Sequence, residues 1–318
     1  MRYRLLGSIE AMVSDIEWYV RQLDIHVIVQ ELLSPGAGLA AERLGLPWVS
    51  VATHPLPVIE GYKTWMPSSL WRWFEDDEIF RRLQLPARPG NLLGRISPYL
   101  HLIPATLNFV GKAYQLPAQA YCVGPLSWSP PLAQVPDWFH QICDSPTPIL
   151  VGCSSINPSV FERTQTDLER YVRSAIEGLA GEPVTVIITL TEGLCPEAFT
   201  PLPANVRVEQ FFPHQHLMPW LKAVITHGGW GLVGRALSQG LPLVIVPFGA
   251  DQSVNAERCQ QMGLGMTIPL KDISAASLRA AVRRVLDEPT YHIRSRAESE
   301  TIHGLKPPEA AADLLETL

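Results

Sequence analysis

The chain has 318 residues, 47% of them hydrophobic and 18% charged, with a net charge of −6; that allows a substantial core and two domains. Lys and Arg are scattered without a basic stripe, so a nucleic-acid partner is not expected. Cys122, Cys143, Cys153, Cys195 and Cys259 stand far apart with no Cys-x-x-Cys pair, which argues against a zinc site and a disulfide framework and for a reducing cytoplasm.

Leu6, Ile9, Val13, Ile16, Val20 and Leu23 recur at the spacing of an amphipathic helix packed on a sheet. Glu10 and Asp15 interrupt this opening before a signal peptide could form, and no apolar run anywhere approaches membrane-spanning length. Ile25 to Val29 follows as an almost wholly apolar strand. Pro35-Gly36 opens a helix to Leu44 with Gly45 as its C-cap, and Trp48 to Ala52 is the next strand, completing a strand-helix-strand unit. From about Pro55 to Leu93 the chain reads as irregular or helical, with Trp65, Met66, Trp71, Trp73 and Phe74 clustered there. Short strands at Tyr99–Ile103 and Ala120–Val123 close a first domain, residues 1–124.

Six prolines from Pro125 to Pro148 predict an extended, stiff linker over 125–148. Residues 149–318 then alternate regularly. Strand Ile149–Gly152 precedes a helix, Val160–Leu179, that turns Leu168, Val172, Ile176 and Leu179 inward and Glu169, Arg170 and Arg173 outward. Strands Val184–Leu190, Val206–Gln210 and Ala223–Thr226 follow, then a helix from near Trp230 to Gly240 and strand Leu243–Val246. A closing helix starts at Ser274, its N-cap, with Leu278, Val282 and Val285 inward. Such alternation predicts a doubly wound parallel sheet.

The most informative stretch is Thr226 to Gln252. A buried strand runs into His227, Gly228, Gly229, Trp230 and Gly231, whose glycines let backbone N–H groups close on an anion at a helix N-terminus. His227 offers a further donor. Asp251 and Gln252, after the next strand, fall at the carboxyl edge where α/β ligands bind, and a carboxylate with an amide suits sugar hydroxyls. The alternative is a tight strand-to-helix turn without a ligand.

At these residues the chain resembles the nucleotide-sugar-dependent glycosyltransferases of the UDP-glycosyltransferase type. The resemblance extends through Asn255-Ala-Glu-Arg258, the Gly263-Leu-Gly265 turn and the final helix Ala310–Glu316, and begins at Ala40–Pro47. It implies an α/β GT-B fold with two Rossmann-like domains of parallel sheets, the last helix packing back on the first domain. It also implies a pyrophosphate held by His227, Gly228, Gly229 and Gly231, with Trp230 in the same donor motif. Sugar hydroxyls would meet Asp251 and Gln252. Ser155 would be a further phosphate contact, or simply a hydroxyl capping a loop. In Phe211-Phe-Pro-His-Gln215, Phe211 would stack on uracil or thymine, backbone groups at Phe212 would read the base's imide edge, and His214 is a further donor-binding candidate. Two adjacent phenylalanines also occur as ordinary core, and His214 with His216 lacks the further ligands of a metal site.

Departures from the family pattern accompany the match. Leu232 stands where members usually carry Ser or Thr, and Arg235 where many carry the ribose-binding Glu, which implies an altered nucleotide preference. Members also open with a strand, a glycine loop bearing the catalytic His and a helix, which nothing before Ile25 supplies. About one domain-half, on the order of 100 residues, is absent by this comparison. The N-terminal domain is therefore expected to be incomplete and the Ile25–Val29 strand to be an exposed edge. An upstream start, a second polypeptide completing the domain, or a degenerate relative would each account for it. His54 is a candidate replacement base or acceptor-cleft residue, and Trp65 and Trp71 are candidates for an apolar acceptor pocket or for plain packing.

The expected activity is inverting transfer of a hexose from a UDP- or dTDP-sugar to a hydroxyl of a small lipophilic acceptor, without metal or other cofactor. The competing reading is a nucleotide-sugar-binding module that lacks the catalytic base. An epimerase on the same fold would instead form product without any acceptor.

Overall fold

The computed structural model describes residues 2–32, 34–55, 78–86, 95–111, 114–128, 135–153, 165–249 and 251–318. The chain divides into two compact units, Met1–Leu126 with Leu305–Leu318, and Ser127–Gly304.

In the first unit α1 (Arg2–Gln22) leads to β1 (Ile28–Glu31), α2 (Gly36–Leu44) and β2 (Trp48–Val51); α3 (Glu78–Arg82), β3 (Leu100–Ile103), α4 (Leu107–Val110) and β4 (Ala120–Cys122) follow. Its sheet has the order β1-β2-β3-β4, with every pair parallel. Gly45 caps α2 in the left-handed region at φ 68°, a conformation glycine adopts without steric cost. The predicted strand Ile25–Val29 lies three residues further on. Ile28 and Leu32 turn inward while Val29 is half-exposed on the edge strand of the described sheet. Gln30, Ser50 and His101 form a buried polar row across β1, β2 and β3. Ser50 Oγ accepts from the Ser97 N–H and lies 2.8 Å from His101 Nδ1, so most of the row is bonded internally. On the opposite face Val49, Leu100 and Leu102 pack with Val123 and with Ala311 of the last helix, residues 307–315.

The second unit begins with α5 (Asp137–Cys143), inside the stretch predicted to be an extended linker. Pro136 sets the helix entry, Asp137 sits in the first turn, and Trp138 and Ile142 are buried. Proline spacing could not reveal this, because a proline at a helix start stabilises the helix it would break further in. Then come β5 (Pro148–Gly152), α6 (Gln165–Leu179), β6 (Thr185–Thr189), β7 (Val206–Glu209), β8 (Ala223–Thr226), α7 (Trp230–Ser238), β9 (Leu243–Ile245), α8 (Gln252–Met262), β10 (Gly265–Thr267), α9 (Ala275–Asp287) and α10 (Pro289–Leu305). α11 (Pro307–Leu315) belongs to the first unit.

The second sheet is parallel throughout, in the order β10-β9-β8-β5-β6-β7. Numbered from β5, that is the Rossmann order, and the direction of winding reverses between β5 and β8. One face carries Ile149, Val151, Val186, Ile188 and Ile225, covered by Leu168, Tyr171 and Val172 of α6 and Leu278, Val282 and Val285 of α9. Each such side chain contributes about 1.5–3 kcal/mol by leaving water. α6 buries a broader stripe than predicted, because Tyr171, Ser174, Ala175 and Gly178 also face inward. Gly178 is required there: a Cβ would stand 2.6 Å from the Ala275 carbonyl oxygen of α9. Ser274 caps α9 in a capping box with Ser277, as its sequence position predicts.

Candidate functional site

The switch point brings together the ends of β5 and β8. Gly152 pairs with Thr226 across these strands, and His227, Gly228 and Gly229 follow β8 directly. Gly228 takes φ 93°, which only glycine adopts readily, and its N–H is fixed by Thr226 Oγ1 at 3.1 Å. Its carbonyl accepts from Asn255 Nδ2 at 3.0 Å. The turn is thus braced from both sides.

α7 then starts with Gly229 at the N-cap and no side-chain cap. Among the described residues the N–H groups of Gly229 and Gly231 have no acceptor, and nothing lies within 4 Å of where a Gly231 Cβ would be. An uncapped helix N-terminus facing open space presents donors and the positive end of the helix dipole to an anion. His227 lies alongside, 9% exposed, with its Nδ1 buried and unpartnered. Burial pushes the His227 pKa down to about 4, the Gly152 carbonyl opposing the shift, so the ring is neutral at physiological pH.

His214 occupies the same place from the other side. Its Nε2 is 2.8 Å from Thr189 Oγ1 at the end of β6, and its Cε1 lies 3.6 Å from where a Gly152 Cβ would be. Burial, then the Arg235 charge and His227, hold its pKa near about 4. Leu232 fills the space over Gly152 so closely that any Cβ there would overlap it. The residue that replaces the family's hydroxyl therefore packs on the strand end. Arg235, one turn further along α7, donates from Nη2 to the Trp128 carbonyl at 2.7 Å.

The predicted sugar-binding pair behaves unequally. Asp251 is half-buried, its Oδ2 accepting from Asn255 Nδ2 at 2.9 Å, and burial raises its pKa against that bond. Gln252 is 3% exposed, and its Oε1 accepts from the Phe248 N–H at 2.8 Å and the Gly249 N–H at 3.2 Å. Its amide oxygen is therefore committed to the loop before α8, leaving Nε2 as the group for a ligand. Trp230 needs a similar correction: its indole is buried, so what it brings to an anion is its backbone. Phe211 is 74% exposed beyond the end of β7, as a stacking residue must be. The Phe212 ring is buried against Trp138 at 4.8 Å and Phe139 at 5.8 Å, an aromatic brace with only its backbone free for recognition.

Ser155, Trp65 and Trp71 lie outside the described residues. His54 stands just beyond β2 in the first unit, buried, with burial lowering its pKa to about 4. Asn255 and Thr226 are not among the sequence-predicted site residues, although both fall in the stretches that carry the resemblance. Asn255 was legible as the i+4 neighbour of Asp251 on one helix face. Among the described residues no group of three His, Cys, Asp or Glu is placed to hold a metal. A cavity of about 600 Å³ opens at the amino end of the strands, lined by Thr147, Glu182, Lys222, Arg283 and Asp287. Its main ionic groups already pair, Arg283 bonding Glu182 twice at 2.8 Å, and it lies away from the glycine turn.

Residues 176–317 match the family described as erythromycin biosynthesis protein CIII-like, C-terminal domain. The chain is 29% identical over 335 residues to the 4'-demethylrebeccamycin synthase of Lentzea aerocolonigenes, spanning 96% of this chain and 77% of that one. It is 33% identical over 163 residues to the 3-alpha-mycarosylerythronolide B desosaminyl transferase of Saccharopolyspora erythraea, a match covering 49% of this chain and 36% of the relative. The structure of the glycosyltransferase VinC in complex with dTDP superposes with a TM-score of 0.68 at 20% identity, covering 96% of this chain and 74% of that one. The chain has the GT-B fold and is similar in sequence to glycosyltransferases of natural-product pathways. In this GT-B chain the glycine turn, both histidines and the uncapped helix lie in the second unit, within or beside the matched family domain. Among the described residues no helix is long and apolar enough to cross a membrane.

Proposed function

We propose that this chain binds a UDP- or dTDP-sugar through its second unit and transfers the hexose, with inversion, to a hydroxyl of a small lipophilic acceptor. The observation that carries the reading is the pair of Gly229 and Gly231 N–H groups at the uncapped helix N-terminus, without an acceptor among the described residues, beside His227. Two unpaired N–H groups at a helix N-terminus beside an imidazole suit an acceptor-rich, anionic group. A diphosphate is such a group, Phe211 supplies a face for the base, and Asp251 and Gln252 Nε2 supply acceptor and donor for a sugar. In the reaction the acceptor oxygen forms a bond to C1 of the sugar as the C1–O bond to phosphate breaks. The hydroxyl proton passes to a base and the nucleoside diphosphate departs on the α7 N-terminus, where its charge is stabilised. No further cofactor enters this scheme.

One observation favours a second reading, a donor-binding module completed by another polypeptide. His54, the candidate base at the carboxyl edge of the first sheet, is buried, which lowers its pKa to about 4 and makes it a weak proton acceptor. The test is to incubate the purified chain with UDP- and dTDP-hexoses and hydroxylated polyketide, terpenoid and carotenoid acceptors, reading products by mass spectrometry and anomeric configuration by NMR. Hexosyl transfer with inversion supports the enzyme. Tight nucleotide binding with no transfer to any acceptor supports the module, and product formed without acceptor would point to an epimerase.

A further inference from the structure

We infer that Trp128 forms a second aromatic wall of the donor nucleotide site, opposite Phe211, and that Arg235 is the positioning residue that holds it there. The inference rests on the donor-site reading above and assigns a residue that the sequence motifs of that site do not contain.

Trp128 and Phe211 are the two most exposed of the large hydrophobic side chains described, at 77% and 74%. An exposed aromatic ring is ordinarily solvated surface, but here both belong to segments anchored around one place. Phe211 precedes His214 by three residues, and His214 is bonded to Thr189 and lies over Gly152. Leu232 packs on that same Gly152, and Arg235 is its i+3 neighbour on α7, on the same helix face. The Arg235 charge is also one of the causes, after burial, that lower the His214 pKa. Arg235 Nη2 donates to the Trp128 carbonyl at 2.7 Å. A charge-assisted bond fixes the Trp128 backbone beside the donor site, while the indole stays free of the protein core.

An indole so placed has a flat apolar face and little conformational entropy to lose, the properties that favour stacking on a heterocyclic base. Phosphate contacts alone do not discriminate between a nucleotide and inorganic pyrophosphate; a stacking ring does.

The experiment measures dissociation constants for UDP, dTDP and inorganic pyrophosphate by titration calorimetry, on the wild type, Trp128→Ala, Trp128→Phe, Arg235→Gln and the Trp128→Ala/Arg235→Gln double variant. Trp128→Ala is expected to weaken UDP and dTDP by about tenfold and to leave pyrophosphate within about twofold, and Trp128→Phe to recover most of the loss. In the Arg235→Gln background Trp128→Ala is expected to cost less than threefold or so, because the ring is no longer held. Since Trp128 is exposed, the variants should keep the wild-type melting temperature, which the same samples report. Unchanged UDP and dTDP affinity in Trp128→Ala would overturn the assignment while leaving the donor site intact. An equal cost of Trp128→Ala in both backgrounds would overturn the role of Arg235. If the wild type binds none of the three ligands, the donor-site reading itself fails and the assignment with it.

Discussion

Gln252 separates what the sequence suggests from what the structure assigns, and its replacement can be worked through in numbers. In Gln252→Ala the Phe248 N–H loses its acceptor in buried surroundings, and the Gly249 N–H loses one where water can partly replace it. The first costs about 1–3 kcal/mol and the second about 0.5–1.5 kcal/mol, so the loop before α8 should be destabilised by about 1.5–4.5 kcal/mol. For a domain of this size that corresponds to a melting temperature lower by roughly 5–15 °C. Gln252→Glu keeps an oxygen for both N–H groups and should lose much less, but it removes the Nε2 donor offered to a sugar. We expect Gln252→Glu to weaken a UDP- or dTDP-hexose several-fold, about 1 kcal/mol, beyond the loss it causes for UDP and dTDP, which the added carboxylate beside the Gly228 turn also disfavours. Differential scanning fluorimetry and titration calorimetry on the two variants suffice. A melting temperature for Gln252→Ala within about 1 °C of wild type would refute the loop-brace argument.

Three further outcomes follow from the same geometry. Gly152→Ala should destabilise the second unit by about 1–3 kcal/mol through overlap with Leu232, and Leu232→Ala in the same chain should recover part of that loss, a coupling measurable by urea denaturation of all four forms. His54, His101, His214 and His227 each fall from 6.5 to about 4 because burial disfavours the charged ring, so between those values the unfolded chain binds more protons. Their contribution is complete above about pH 6.5 and is lost as pH falls toward about 4; a melting temperature flat across that range would contradict the burial of these rings. Leu314→Asp on α11 should destabilise the first unit by about 1–3 kcal/mol, because this half-buried side chain packs on the Val49, Leu100 and Leu102 face; hydrogen exchange should quicken in β3 and not in β5.

Most of the second unit was legible because its strands are short runs of β-branched residues broken by glycine or proline, and its helices carry clear stripes. Ala223–Thr226 and the α9 cap coincide with the expectation, and β5, β6, β7 and β9 shift by a residue or so. β10 was not legible: Gly265 opens it, and glycine has low strand propensity. It holds glycine because a Cβ would collide with the Leu243 carbonyl of β9. α10 has little apolar periodicity and buries Ser295, Glu298 and Ser299, so a search for hydrophobic stripes passes over it. In the site, residue types pointed to the anion cradle, but not to the division of labour inside it. Nothing local in the sequence says that the Gln252 oxygen would turn back to its own loop, that Phe212 would be core while Phe211 is exposed, or that Arg235 would reach Trp128 across more than a hundred residues of chain. These are tertiary facts, set by which side chains the doubly wound sheet brings to its switch point.

The most direct test of the account is a crystal structure of the chain with dTDP or UDP. The diphosphate should lie at the α7 N-terminus, accepting from the Gly229 and Gly231 N–H groups and from a His227 ring nitrogen, with the base on Phe211. A nucleotide bound elsewhere, or a diphosphate with no contact to His227 and the glycine turn, would contradict it.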